Sequence, residues 1–327
     1  MTGDNQDKRG ERIRITAVVA PQHGGARLDQ VAAELFSDFS RSRLQKWIRS
    51  GQLTVNGRKA KSTYKVTMGE TLLLDAEAEQ EGRVEPQDLP LDLIHADDDI
   101  LVVNKPAGLV VHPAAGNPDG TLQNALLFFD PAMDSLPRSG IVHRLDKDTS
   151  GVMVVARSLR AHTALVRQLQ ERTMSRVYRA VALGDLVAGG RVDAPIGRHP
   201  VDRKRMAVVP SGRPAVTHYR VLERFDGATY VEVSLETGRT HQIRVHMAKL
   251  GYPLAGDRQY GRRKPAKAGL SDDQWSALTS FPRQALHAIK LVLQHPASGE
   301  EMRFEAPLPE DFLKLLQSLQ GNSPEPG

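Results

Sequence analysis

The sequence predicts an α+β protein of two unequal domains, and three observations carry that prediction. At 327 residues the chain is about twice the usual ~150-residue domain. Its strand-like and helix-like stretches mix irregularly, without the repeating alternation of a doubly wound sheet. Near residue 75 a basic stretch gives way abruptly to an acidic one. Hydrophobic residues make up 40% and charged residues 25%, which provides for a sizeable core and excludes a disordered chain. With no cysteine at all, disulfides, thiolate zinc sites and a cysteine nucleophile are excluded, and a reducing compartment suits the chain. Met1 to Arg14 is charged and lacks the apolar core of a secretory signal, and no run approaches a membrane span, so a soluble, cytoplasmic protein without a membrane partner is expected.

Residues 1–15 are polar and unpatterned and read as a disordered leader. Leu28, Val31, Ala32 and Leu35 follow at helical spacing, and Ser40 is the candidate N-cap of a second helix carrying Leu44, Trp47 and Ile48 up to Gly51. Leu53 to Val55 runs into Asn56-Gly57, a hairpin signal, and Tyr64, Val66 and Leu72 to Leu74 supply further strands. This small domain spans 16–80. A linker at 81–90 follows, within the acidic, Pro- and Gly-broken stretch from Asp75 to Asp88. Beyond it Ile100 to Asn104 reads as a strand, Leu109 to Val111 as its return, and Leu122 to Phe129 as a helix capped by Thr121. Gly151 to Ala156 is an apolar strand, and Leu159 to Glu171 a helix capped by Ser158. Val231, Val233 and Leu235 alternate with polar residues as in a half-buried strand. A helix from Thr240 to Leu250 ends at Gly251, with Ile243, Met247 and Leu250 on its apolar side. This second domain runs over 91–320, and 321–327 is a disordered tail.

Charge points to an anionic partner. The net charge is only +5, but Arg41 to Lys65 holds eight basic residues, Arg41, Arg43, Lys46 and Arg49 among them, and no acidic one. Solvated faces normally mix signs, so nucleic acid is favoured over a merely solvated helix. From Arg157 to Met206 eleven basic residues face four acidic ones, ten of them Arg, the residue suited to bidentate phosphate contact and base stacking. A further basic run, Arg258, Arg262, Arg263, Lys264 and Lys267, fits an RNA contact or a solvated loop equally well.

The densest polar constellation is HRLDKDTSG at 143–151. Arg144 and Lys147 flank Asp146 and favour its charged form, as a nucleophile or base requires. An ordinary ion-paired surface loop fits the same residues. A second cluster, TGRTHQIRVHM at 237–247, sits at a strand-to-helix junction where backbone N–H groups and Arg239 could hold a phosphate, with His241 and Arg244 on one helix face. His241 and His246 are five apart, which does not suit a one-face pair, and no HExxH pattern is present, so no metal site is expected; there is also no P-loop or dinucleotide fingerprint.

These two motifs, with NKPAGLVVHP at 104–113, RHP at 198–200, PAVTHYR at 214–220 and QALHA at 284–288, resemble the RluA-type RNA pseudouridine synthases over roughly 16–316. The amino-terminal domain resembles the alpha-L RNA-binding domain first known from ribosomal protein S-four. The resemblance implies a catalytic domain on a mixed, mainly antiparallel sheet with flanking helices. It implies that Asp146 is the catalytic aspartate, that Arg144 enters the RNA to displace the target nucleotide, and that Tyr178 packs against the uracil. Arg244 would pair with Asp146, and Leu286 would line the base pocket. The reaction it implies breaks the C1′–N1 bond of a uridine, turns the held uracil and joins C5 to C1′, without cofactor or metal. The implied partner is large-subunit ribosomal RNA or the assembling large subunit, and a monomer is the default expectation. Two other classes stay open at this point, an idle RNA-binding assembly protein and an RNA glycosidase or nuclease. Intact Asp146, Tyr178 and Arg244 speak against the first, and the lack of metal ligands and of a carboxylate pair against the second.

Overall fold

The computed structural model describes residues 12–36, 39, 41–77, 84–114, 116–261 and 269–320. Two compact units divide the chain, Met1–Arg83 and Val84–Gly327.

In the first unit strand β1 (Arg12–Val18) precedes helices α1 (Leu28–Leu35) and α2 (Arg41–Ser50) and strands β2 (Leu53–Val55) and β3 (Thr71–Glu77). The strands form an antiparallel sheet in the order β1-β3-β2. Leu28, Val31, Leu44, Trp47 and Ile48 from the two helices meet Leu72 and Leu74 in a dry core. Two expectations need correction. Arg12 to Ile15, read as part of a disordered leader, belong to β1, whose partner β3 lies some sixty residues on and is invisible to a local pattern. Tyr64 and Val66 form no strand, only a single bridge between Lys65 and Arg27. The Asn56-Gly57 turn does form, with φ of 49° and 73°, but it closes only on a Val55–Arg58 bridge. The Ser40 cap and the first eleven residues lie outside the described residues, as does the 321–327 tail.

Along the second unit come β4 (Leu93–Ala96), β5 (Ile100–Lys105), α3 (Leu122–Phe129), β6 (Ser150–Ala156), α4 (Leu159–Glu171), β7 (Ser175–Leu183), β8 (Gly190–Asp193), β9 (Ile196–Arg198) and β10 (Met206–Val208). Then follow β11 (Val216–Phe225), β12 (Ala228–Leu235), α5 (Gln242–Lys249), α6 (Asp272–Ser280), β13 (Leu286–Gln294), β14 (Glu301–Glu305) and α7 (Glu310–Gln320). One large sheet runs β4-β5-β6-β13-β7-β12-β11-β8, with β14 beside β13 and β9–β10 as a separate hairpin. It is mixed and mainly antiparallel, with β6 and β13 its one parallel pair among the described strands. Alternation along β7 shows why helices flank both faces. Tyr178, Ala180 and Ala182 join a core shared with α3, α4 and α5, while Val181 and Leu183 join one shared with α6 and α7.

Helices α3 and α4 fall where their apolar spacing puts them, capped by Thr121 in a capping box with Asn124 and by Ser158 onto the Ala161 amide. Of the expected linker, residues 84–90 are instead bound to this unit, so its start moves from 91 to 84. Asn124 Nδ2 donates to the Glu85 carbonyl at 2.8 Å, the Gly120 amide donates to Gln87 Oε1 at 2.7 Å, and Val84 packs on the core. Acidic and proline content marked irregular backbone there, but not its hydrogen-bond partners. Leu109 to Val111 is likewise no strand, only a bridge from Val110 to Thr121. Helix α5 is shorter than expected at both ends. His241 is its left-handed N-cap, and Leu250 is 36% exposed rather than on the buried side.

Candidate active site

Three neighbouring central strands and one helix converge on Asp146. The loop that bears it feeds β6, Leu286 opens β13 beside β6, and Tyr178 lies on β7 opposite Ala288. Gly151 permits the tight β6–β13 approach, because its φ is +116° and an added Cβ would stand 2.2 Å from the Ala288 carbonyl oxygen. Side chains then pin the loop from behind. Lys105 Nζ donates to the carbonyls of Pro106 and Leu109 at 2.8 Å and of Lys147 at 3.0 Å. Gln284 Nε2 donates to Thr149 Oγ1 at 3.1 Å, and Arg283 Nη1 donates to the Asp148 carbonyl at 3.1 Å while Asp311 grips its other edge. Burial pushes Lys105 down to about 7 against the pull of Asp146 and Asp148. Its three acceptors nevertheless match the three N–H bonds of the ammonium form.

Arg244 reaches Asp146 from α5. Gln242 ties that helix to β11 through the Val216 carbonyl and Thr217 Oγ1, and His246 does so through Thr217 Oγ1. Arg244 Nη1 donates to Asp146 Oδ2 at 3.0 Å, while Nε and Nη2 make a two-pronged pair with Asp257 at 2.7 and 3.0 Å. Its guanidinium carbon lies 5.0 Å from the Tyr260 ring centre. Burial alone would lower the Arg244 pKa, but the hydrogen bonds and charges of Asp257 and Asp146 raise it above its ordinary value. His241 Nε2 stands 3.7 Å from Asp146 Oδ1, beyond hydrogen-bond distance, and its Nδ1 is 2.8 Å from the Tyr260 hydroxyl. Burial lowers His241, so it is neutral at pH 7.

Asp257 was not singled out from the sequence, yet it is the fixed end of this chain of charges. Burial would raise its pKa, but Arg244 and the Tyr260 and Gln259 amides outweigh that and hold it below the ordinary 3.8. A carboxylate depressed on folding contributes stability above its unfolded pKa and loses that contribution as pH falls through its folded one. Asp257→Asn should therefore unfold more easily than wild type at pH 7, and the deficit should shrink below pH 3.8. Denaturant titrations at pH 7 and pH 3 would check this, and a deficit independent of pH would contradict it.

In front of Asp146 opens a cavity of about 600 Å³. Asp146, Tyr178 and Leu286 line it together with Ile141, Leu145 and Ile243. Asp146 keeps 17% of its side chain exposed, and Arg144 is exposed at the same cavity. Burial, then Asp146, raises the Tyr178 pKa against the opposing pull of Arg176, so the phenol keeps its proton. His143, in the catalytic loop, is pushed down to about 3, mainly by burial, and its Nε2 accepts from the Val154 amide, which makes it a structural prop. Arg239 also lines the cavity and donates through Nε to the Pro214 carbonyl at 3.1 Å.

In the first unit, Lys46 and Arg49 are exposed on α2, as are Arg58, Lys59, Lys61 and Lys65 beyond it. Arg43 instead lies over the Trp47 ring, 4.8 Å from its centre, and the Arg41 side chain is outside the described residues. The basic excess between 157 and 206 is partly neutralised. Arg157 pairs with Asp130, Arg160 with Asp99, Arg172 with Glu236, Arg179 with Glu232 and Arg191 with Asp193. Of the basic run from Arg258, residues 262–268 lie outside the described residues. Among the described residues no cluster of three or more His, Asp and Glu could hold a metal ion, and no helix is long and apolar enough to cross a membrane.

Fold and site together define an RNA-modifying enzyme with an appended RNA-binding module, and comparison with known proteins gives its family. Residues 99–249 match the RNA pseudouridylate synthase family and residues 26–72 match the S4 domain. The chain is 53% identical over 318 residues to ribosomal large subunit pseudouridine synthase D of Vibrio vulnificus, covering 97% of this chain and 98% of that one. It is 55% identical over 310 residues to the protein of the same name from Pseudomonas aeruginosa, covering 95% and 97%. Human RNA pseudouridylate synthase domain containing 4 superposes with a TM-score of 0.55 at 29% identity, over 70% of this chain and 93% of that one. The chain belongs to the RNA pseudouridine synthases of the RluA type and carries an S4 domain.

Proposed function

We propose that this enzyme isomerises defined uridines of large-subunit ribosomal RNA to pseudouridine, with Asp146 as the catalytic group. The observation that carries this reading is the Asp146 carboxylate, held by Arg244 in a cavity that Tyr178, apolar side chains and several arginines also line. A carboxylate cannot reach a base inside a stem, so the target nucleotide leaves the stack, Arg144 fills the gap, and the uracil enters against Tyr178 and Leu286. Asp146 then acts at the ribose as nucleophile or base while the C1′–N1 bond breaks. The freed uracil turns in the cavity, and C5 joins C1′. The product keeps every atom of the substrate, so water must stay away from C1′, a task suited to Ile141, Leu145 and Ile243. The proposed chemistry uses no cofactor or metal.

The relatives' names support large-subunit ribosomal RNA as the substrate, free or in an assembling particle. The S4 domain would hold the RNA backbone through exposed Lys46 and Arg49 and their basic neighbours, Arg41 and Arg43 among them, and Arg239 would contact RNA in the catalytic unit. We assign the reaction to the cytoplasm and to a single copy of the chain.

The test is to incubate the protein with large-subunit RNA lacking modifications, free and in particles, and to map pseudouridine by carbodiimide labelling and reverse transcription. Stops at defined uridines with unchanged RNA mass are expected. Absence of stops on both substrates would leave an RNA-binding assembly factor, and loss of mass would indicate base removal or strand cleavage.

A further inference from the structure

Of the three well-buried arginines near the catalytic loop, Arg244 and Arg283 are each gripped by a carboxylate, at Asp257 and Asp311. Arg176 is not. It is 8% exposed, its Nε has no hydrogen-bond partner, and no carboxylate lies within ion-pair distance among the described residues. An unpaired buried cation is costly, and a fold keeps one where a ligand supplies the missing charge. Arg176 lines the same cavity as Asp146. It sits two residues before Tyr178 on β7, and the alternating burial of the strand puts both side chains on one face, about 7 Å apart along the chain. That separation is comparable to the span from a base to the phosphate of its own nucleotide. Gly238, directly beside it, leaves room for the guanidinium: a Cβ there would stand 2.6 Å from Arg176 Nη1.

We propose that Arg176 is the phosphate-binding residue of the catalytic cavity, holding a phosphodiester that flanks the flipped uridine while Tyr178 holds its base. This rests on the proposed uridine isomerisation and names the part of the RNA that anchors the target nucleotide. The Arg176 guanidinium gives a non-bridging phosphate oxygen the N–H donors that nothing in the fold engages.

The test uses the full chain and a short RNA bearing the mapped uridine. Two further RNAs carry one neutral methylphosphonate, 5′ or 3′ to that uridine, with a 2′-O-methyl group protecting the adjacent linkage and matched 2′-O-methyl diesters as references. Wild type should lose about tenfold in affinity at one of the two positions, the worth of a charge-assisted hydrogen bond. Arg176→Gln should lose about as much on the diester and nothing further on that methylphosphonate, and Arg176→Lys should recover part of the loss. Melting adds a second readout, because removing an unpaired buried charge should leave Arg176→Gln at least as heat-stable as wild type, whereas a structural arginine would lower the midpoint. Additive losses at both positions, or a lowered midpoint with unchanged affinity, would overturn the assignment. Isomerisation of the unmodified RNA by wild type is the control: its absence would sink the proposed function, and its presence with additive losses would sink only the role of Arg176.

Discussion

Asp146→Asn should abolish isomerisation, by at least about 10⁴-fold, while leaving folding and RNA affinity near wild type. The substitution removes the charge and little else. The Asn side-chain oxygen can still accept from Arg244 Nη1, which lies 3.0 Å from the native carboxylate, and the loop stays pinned through the backbone carbonyls of Lys147 and Asp148. What is lost is the group that attacks or takes a proton at the ribose, and an amide does neither. The measurement is pseudouridine mapping together with filter binding and a melting curve on the same preparation. A variant that turns over within tenfold of wild type would show that Asp146 orients the substrate rather than reacting. A variant that neither binds nor melts normally would say nothing in its favour either, and Asp146→Ser, smaller and still polar, would then separate lost chemistry from lost structure.

Much of this was legible in the sequence where the signal is local. Helices α3 and α4 follow from apolar spacing and from Thr121 and Ser158 as caps, and the loop at 143–151 follows from its density of charge. The residues that act at a distance were not legible. Asp257 looks like an ordinary loop aspartate until α5 brings Arg244 to it, and Lys105 looks like a surface lysine ending a strand until three carbonyls close around it. Local charge counting also misled between 157 and 206, because the carboxylates that neutralise Arg157, Arg160 and Arg179 come from distant Asp130, Asp99 and Glu232. Among the arginines left after those pairs are subtracted, burial is what marks Arg176 as unusual. Strand β1 escaped for the same reason, since its pattern makes sense only against β3.

Arg244→Met should damage both stability and catalysis, and the two effects can be separated. Arg244 is 7% exposed and Asp257 keeps none of its side chain in solvent. Removing the cation strands the buried Asp257 without its counter-charge, a loss of about 3–5 kcal/mol and on the order of 10 °C in the melting midpoint. It also frees the Asp146 carboxylate from the donor that aims it, and the loss of a preorganised charge contact at a reacting group is worth about 10²–10³ in kcat. The double variant Arg244→Met, Asp257→Leu distinguishes the two. With no buried carboxylate left unpaired, an apolar pair of similar volume should regain most of the lost stability. Activity should stay low, because Asp146 still lacks its donor. Melting and single-turnover rates on the same three proteins decide it. If stability and rate recover together, Arg244 is a scaffold for the Asp257 loop and acts on catalysis only through the fold. If Arg244→Met melts like wild type, the buried pair contributes nothing to the fold, and the 3.0 Å contact with Asp146 is the whole of its role.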